Sequence, residues 1–248
     1  DSVASRGLGD VYKRQDFDDT LQPFDPCSHM ALERSCRAFS LPFDEQVYQQ
    51  YRQLNHELWR RQKAGELSVE EVMKRRFQLF LKDYGQAQLA EDLNQRYISE
   101  LSCCVSKEPG SDEVLARLSR QYELFICSNG RLAEKRSRIE LAGWTAYFKD
   151  LFVSDDIGFD KPDPRYFERC LQRSRYSADE VLFIGDSWTA DILGARRAGL
   201  PAIWYCAHSR SEQDTVPAEG SELDSILCVK QLTELLPLLD QELSLIHI

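Results

Sequence analysis

Residues 16–20, Asp16-Phe17-Asp18-Asp19-Thr20, crowd three carboxylic acids and a hydroxyl into one short acidic run. Clusters of this kind are common in solvated loops and as calcium ligands. An EF-hand, however, needs further oxygen ligands at fixed spacing and a closing glutamate. Gln22, Pro23 and Phe24 do not supply them. A chemical reading gives two of the acids separate tasks. Asp16 attacks phosphorus as a nucleophile. Asp18 protonates the leaving oxygen, then deprotonates the water that cleaves the resulting aspartyl phosphate. The first of those tasks requires the Asp18 carboxyl to keep its proton near working pH, that is, a raised pKa. A spacing of two lets both side chains approach one reacting group as the chain leaves a strand.

Three later segments carry complementary chemistry. Ser128-Asn129-Gly130 follows the apolar run 124–127. In open α/β sheets ligands bind outside the carboxyl ends of strands, where a hydroxyl and free backbone N–H groups hold a phosphate oxygen. Taken alone, the same three residues also describe an ordinary turn or N-cap. Asp160-Lys161-Pro162-Asp163-Pro164 leads into a helical pattern over 165–172. A lysine at a helix N-terminus is unfavourable by roughly 0.3–1 kcal/mol unless an anion lies nearby. A transferring phosphoryl group is such an anion, and Lys161 would stabilise its developing charge; an isolated loop lysine is otherwise simply solvated. Residues 181–187, VLFIGDS, end an apolar run on a glycine and then present Asp186, with Asp191 five residues on. The phosphate-binding candidates are thus Thr20, Ser128, Asn129 and Lys161. Asp16, the backbone carbonyl of Asp18 and Asp186 form an oxygen-rich set of the kind magnesium favours. Asp191 is placed behind them, orienting Asp186, Lys161 or a water, although a first-turn helix acid is its plainer reading.

The elements that must position these residues fall into two textures. From about 27 to 106 the pattern is helical. Val47, Tyr51, Leu54 and Leu58 share one helix face, Val69, Val72, Met73, Phe77 and Phe80 another, and 88–105 is a further helix candidate. Ser68 with Glu71 three residues later reads as a capping box. After Pro109-Gly110, short apolar runs at 124–127, 151–153, 181–184, 202–205 and 226–229 alternate with helical stretches, as buried parallel strands do in βαβ units. Alanines and glycines at 190, 194, 195, 198 and 199 read as close helix–sheet packing. The expected architecture is an α/β, Rossmann-like parallel sheet formed by 16–25 and 107–242, with a helical cap over 26–106 inserted near its beginning.

The ends look foreign. Residues 10–15 read DVYKRQ and 243–248 read LSLIHI. One codon choice for the first, GAT-GTG-TAT-AAG-AGA-CAG, has as its reverse complement CTG-TCT-CTT-ATA-CAC-ATC, which encodes the second. Such an inverted repeat resembles an adapter or transposon end read through as protein. Residues 1–15 and 243–248 are therefore set aside as non-native, and the native strand before Asp16 is expected to be missing.

Hydrophobic residues make up 42% and charged residues 29% of the 248, a balance that suits a globular domain. The net charge of −10 argues against a nucleic-acid partner, since a phosphate backbone is repelled on average; a small anion can still bind a local cluster of donors. No stretch reaches the roughly 18 apolar residues needed to span a bilayer, and no secretory-type leader is visible. The eight cysteines form no CxxC pair. Cys127 and Cys206 lie in apolar runs, where a reduced thiol behaves as a small hydrophobe. The expected compartment is reducing and cytoplasmic.

The ordered set DFDDT, SNG, KPDP and GDSWTAD resembles the haloacid dehalogenase-like hydrolase superfamily over essentially the whole chain between its ends. The pieces are individually common and their combination is specific. The resemblance implies a Rossmann-like core, a helical cap that closes over the active site, Mg2+ as cofactor and the roles assigned above. Within that superfamily Asp18 argues for phosphoryl transfer, because carbon–halogen cleavage needs no leaving-group protonation. Asn55-His56-Glu57-Leu58-Trp59, with Gly65 and Arg76-Phe77, is similar to the pyrimidine 5'-nucleotidase branch. That likeness implies a nucleoside 5'-monophosphate as substrate, with Trp59 and Arg76 as candidate contacts. A sugar-phosphate or phosphoglycolate phosphatase, a mutase, and a non-catalytic binding protein of the same fold are the competing readings. The oligomeric state is not legible.

One expectation concerns the strand before Asp16, which carries Lys13 and Arg14 where a central parallel strand should be apolar. Replacing 11–15 by an apolar segment should raise the melting temperature; equal melting of the two versions would contradict this.

Overall fold

The structure, a computed structural model, describes residues 12–207 and 226–242. Strand β1 (Tyr12–Gln15) leads into α1 (Phe24–Ala38), α2 (Glu45–Lys63), α3 (Val69–Phe80), α4 (Ala90–Ser102) and α5 (Ser111–Leu118). There follow β2 (Leu124–Ser128), α6 (Leu132–Ala142), β3 (Phe148–Val153), α7 (Ser154–Ile157), α8 (Pro164–Ser174) and β4 (Val181–Gly185). A π-helical turn (Trp188–Leu193) and α9 (Gly194–Arg197) precede β5 (Ala202–Tyr205), and β6 (Leu227–Val229) and α10 (Leu235–Glu242) end the described chain.

The six strands form one sheet in the order β3-β2-β1-β4-β5-β6, all neighbours parallel. Both faces are covered, which follows from the near-continuous apolar runs. Successive side chains alternate between faces. Leu124, Ile126, Leu182 and Ile184 join a core with Phe17, Val114 and Leu235, while Phe125, Cys127, Val181 and Phe183 join a second with Phe152, Tyr166 and Phe167. The chain runs outward from β1 to β3 and then restarts at β4 on the other side. The order therefore reverses between β1 and β4, and such a switch point opens a crevice at the carboxyl ends of the strands.

Of the residues set aside as foreign, 12–15 occupy the backbone position of the strand expected to be missing. Lys13 pairs with Leu124 on one side and Leu182 on the other. Main-chain ladder hydrogen bonds do not depend on side-chain identity, so a segment without proline that runs into Asp16 can fill the slot. Residues 1–11 and 243–248 lie outside the described residues.

Helices α1–α4 have their own core, in which Leu32, Tyr51, Phe77, Leu93 and Tyr97 are buried. The Tyr51 and Phe77 rings stack at 5.3 Å. The stripes read from the sequence face inward here, and Ser68 and Glu71 close the expected capping box on α3. Asp44 caps α2 by accepting from the Val47 N–H.

Cys206 departs from its expected reduced state: it is disulfide-bonded to Cys228, with Cα atoms 6.3 Å apart. The two meet because β5 and β6 are adjacent parallel strands, a neighbourhood that a sequence separation of 22 does not reveal. The reading of a reducing compartment loses that support. No helix among the described residues is long and apolar enough to cross a membrane.

Gly194 sits where α9 meets the loop bearing Lys161. A Cβ there would lie 2.8 Å from the Phe167 ring and 3.3 Å from Pro162 Cα. With Phe167 fully buried, Gly194→Ala should cost about 1–3 kcal/mol by overpacking, read as a lower urea midpoint at unchanged slope; an unchanged midpoint would contradict the close approach.

Candidate active site

The Asp16 N–H still donates to the Ile184 carbonyl at 2.9 Å, so Asp16 leaves the sheet between β1 and β4, at the switch point. Phe17 is fully buried in the core beneath it, which places Asp16 and Asp18 together on the cavity wall. Asp19 takes φ 54° and accepts the Phe24 N–H at 2.8 Å, so the third acid of the run caps α1.

Lys161 is 2% exposed. Its ammonium donates to Asp16 Oδ1 at 2.5 Å, Asp191 Oδ1 at 2.7 Å and the Cys127 carbonyl at 2.8 Å. All three of its N–H bonds are thereby used. Burial alone would favour loss of the proton, but Asp16 and Asp191 outweigh it and hold the ammonium charged well above the ordinary lysine range. The anions that justify a lysine before a helix are therefore two carboxylates of the protein itself.

The lysine's main chain is clamped as well. Its N–H donates to Asn129 Oδ1 at 2.8 Å, and its carbonyl accepts from Asn129 Nδ2 at 2.9 Å. From the cap, Gln62 Nε2 reaches the same carbonyl at 3.0 Å, and the Val69 N–H reaches Asp160 Oδ2 at 3.1 Å. The Asn129 side chain, expected on phosphate, is engaged at both ends in positioning Lys161. The Thr20 assignment changes likewise. Its hydroxyl is buried and donates to Asp186 Oδ1 at 3.2 Å, orienting the acid. Ser128 stays at the end of β2, buried, with its hydroxyl on the Asn129 carbonyl at 3.3 Å.

Asp191 is 1% exposed; beyond Lys161 it accepts the Ser187 N–H on Oδ2 at 2.9 Å. A Cβ on Gly185 would sit 2.6 Å from the Asp191 carboxylate, so glycine at the end of β4 is what lets Asp191 fold back against the strand. Lys161, one of the partners open to Asp191 in the sequence, is bonded to it here.

Carboxylate oxygens of Asp16, Asp186 and Asp191 lie within 4.8 Å of one another. Burial pushes the Asp16 carboxyl up to about 7, opposed by Lys161 and reinforced by Asp191 and Asp18. Burial, then the charges of Asp16, Asp19 and Asp191, hold Asp186 well above the carboxylate range. Three converging acids against one ammonium leave excess negative charge, the donor set of a hard divalent cation. Both Asp191 oxygens accept a hydrogen bond, from Lys161 and from the Ser187 N–H, whereas the bonds donated to Asp16 and Asp186 fall on one oxygen each.

Asp18 lies in a different field. Lys135 Nζ approaches its Oδ2 at 2.5 Å and Arg138 Nη1 its Oδ1 at 2.7 Å, with Glu134 bridging both cations. Burial pushes the Asp18 carboxyl up, but Lys135 and Arg138 pull it down further, and the net shift is below its ordinary value. This reverses the raised pKa expected from the sequence. Lys135 and Arg138 were missed because charges one turn apart on a helix ordinarily face solvent; only their place directly after Ser128-Asn129-Gly130 pointed inward.

Over these groups lies a cavity of about 1120 Å³, roofed by α2 residues including Asn55, Trp59 and Gln62. Arg76 edges it, but its guanidinium is buried and donates twice to Asn94 Oδ1, at 3.0 and 2.8 Å, above the Tyr97 ring. That makes it a cap residue held in place by packing more than a free substrate contact.

Residues 15–205 match the family model described as haloacid dehalogenase-like hydrolase. The putative HAD-hydrolase YfnB of Bacillus subtilis is 35% identical over 190 residues, 76% of this chain and 81% of that protein. The pyrimidine 5'-nucleotidase PynA of Streptococcus pneumoniae is 32% identical, over 78% of this chain and 82% of its own length. The crystal structure of YfnB bound to magnesium superposes with a TM-score of 0.81 at 31% identity, covering 94% of this chain and 99% of that one. An L-2-haloacid dehalogenase from Xanthobacter autotrophicus, 19% identical with a TM-score of 0.67, shares the fold. The chain belongs to the haloacid dehalogenase-like hydrolase family.

Proposed function

We propose that the protein is a Mg2+-dependent phosphatase that hydrolyses a small phosphate monoester, a nucleoside 5'-monophosphate, through an aspartyl phosphate on Asp16. The observation that carries this reading is the Asp16 carboxylate, fixed by Lys161 at 2.5 Å beside Asp186 and two residues before a second acid. In the first half, an Asp16 oxygen bonds to phosphorus, the ester P–O bond breaks, and the leaving alkoxide takes a proton from Asp18. In the second, water attacks phosphorus, Asp18 takes the water's proton, and the Asp16 carboxylate is regenerated with release of phosphate.

The charge-paired state of Asp18 suits the second half, where it accepts. To donate in the first half, it must leave Lys135 and Arg138. Bound Mg2+, held by Asp16, Asp186 and the Asp18 carbonyl, would neutralise phosphoryl charge. Lys161 supplies fixed positive charge beside the nucleophile, so positioning and electrostatics carry most of the catalysis.

The nucleotide reading draws on the cavity, which is larger than a triose or glycolate leaving group needs. It draws also on the likeness to proteins called pyrimidine 5'-nucleotidases. Sugar-phosphate and phosphoglycolate phosphatases are also relatives, a glyceraldehyde 3-phosphate phosphatase and a phosphoglycolate phosphatase over about half of this chain or less and a ribulose-1,5-bisphosphate 5-phosphatase at 26% identity over 89% of it.

Phosphate release from a panel of nucleotide and sugar monophosphates should require Mg2+. It should fall at least about 10³-fold in Asp16→Asn and about 10²–10⁴-fold in Asp18→Asn. Equal activity in wild type and Asp16→Asn would end the proposal. Proton competition gives a second expectation. An acid raised from 3.8 to about 7 in the folded state binds more protons than the unfolded chain across that window. Its contribution to metal-free stability therefore falls as pH rises through it. Below about 7 a cation must displace that proton, so the rise in melting temperature on adding Mg2+ should be larger near pH 8 than near pH 5.5. A pH-independent rise would contradict cation binding at Asp16.

A further inference from the structure

We infer that Asn55 is the residue by which the cap selects its substrate, and that it reads the donor–acceptor edge of a nucleobase. The inference rests on the phosphatase reading above and adds to it the residue that recognises the leaving group. Asn55 lies on α2, is 4% exposed, lines the cavity, and has a side-chain carbonyl oxygen with no hydrogen-bond partner. A buried polar atom left unpaired is costly, so such an atom at the wall of a ligand cavity marks a place where the ligand supplies the partner.

Several other polar groups on that wall are engaged at least in part. Gln62 is bound to the Lys161 carbonyl, Arg76 to Asn94, Lys135 to Asp18 and Glu134, and Arg60 to Glu57. Arg52 pairs with Asp25 at 2.8 Å through Nη2, while its Nε and Gln62 Oε1 share with Asn55 Oδ1 the lack of a partner. Among the described residues, Asn55 is the one of the three whose side chain makes no other hydrogen bond to a charged group or a backbone carbonyl.

Helix geometry sets the reach. Asn55, Trp59 and Gln62 stand at i, i+4 and i+7, one face of α2, and all three line the cavity. The adjoining stripe, Val47, Tyr51 and Leu58, is buried in the cap. Gln62 pins one end of this face to the lysine that holds Asp16. At 1.5 Å per residue, Asn55 lies roughly 10 Å back along the axis. An offset of that size is about the length of a sugar and a ring, a span that glycolate or a triose does not provide. Trp59, half-buried one turn from Asn55, offers a ring face for the base to lie against.

An asparagine amide presents a donor and an acceptor side by side. By exchanging its two ends it complements the N–H and C=O edge of uracil or thymine and the N and NH2 edge of cytosine. A site built to hydrogen-bond a substrate discriminates strongly against an analogue that lacks the group.

The test compares wild type with Asn55→Leu, of similar volume and without polar atoms, in the presence of Mg2+. The substrates are uridine 5'-monophosphate and ribose 5-phosphate, which differ by the base alone. The ratio of their kcat/KM values should fall at least about tenfold in the variant, and uridine, the base-bearing product, should lose its protection against thermal unfolding. Because the amide oxygen has no partner in the free protein, Asn55→Leu should melt no lower than wild type; a structural asparagine would lower it. If Asn55→Leu does not fold, Asn55→Ser carries the same ratio. An unchanged ratio in a folded, active variant overturns the role of Asn55 and leaves the phosphatase reading standing. Absence of Mg2+-dependent release from either ester by the wild type overturns both.

Discussion

A fully desolvated ammonium must find acceptors for all three of its hydrogens, and the architecture is arranged around that demand by Lys161. Its partners come from the end of β1 (Asp16), from β2 (Cys127) and from the turn after β4 (Asp191). No two of these are neighbours in sequence; they meet because the strand order reverses between β1 and β4, where the carboxyl ends open a crevice. Removing the lysine would leave buried acids uncompensated, a loss on the order of 3–5 kcal/mol for pairs of this kind. The same residue ties cap to core, since its carbonyl accepts from both Asn129 and Gln62. Cap position and charge placement are thus read at one peptide unit.

The two carboxyls of the acidic run experience opposite fields although one residue separates them. Asp16 shares its space with Asp186 and Asp191 and is pushed up, chiefly by burial. Asp18 is buried too, yet Lys135 and Arg138 hold it down. Environments that drive paired acids apart are how one site divides nucleophilic and proton-transfer work. The fully buried Phe17 between them supports the division, because its ring turns inward, beneath the Arg138 guanidinium at 4.9 Å.

Much of this was legible in the residues, and the limits have physical causes. Strands β2, β4 and β5 were readable because a strand buried on both faces has a continuous apolar run, so the groups that follow, Ser128 and Asp186, could be placed at a sheet edge. Lys161 stood out because a cation before a helix demands an anion. Thr20 and Asn129 were assigned to phosphate because residue type is visible in sequence while side-chain direction is not; both are turned toward the protein's own groups. Lys135 and Arg138 were invisible because a helix charge is solvated by default, and only the packing of α6 over Phe17 reverses that. β1 shows the converse. Its cationic side chains argue against a central strand, while its backbone forms the ladder all the same.

The central claim is a covalent bond between Asp16 and phosphorus, and reductive trapping tests it most directly. Borohydride added during turnover converts an aspartyl phosphate to homoserine, and peptide mass spectrometry locates the change. The account predicts homoserine at position 16 only when substrate and Mg2+ are both present. Continued phosphate release with Asp16 unmodified under the same conditions would contradict it.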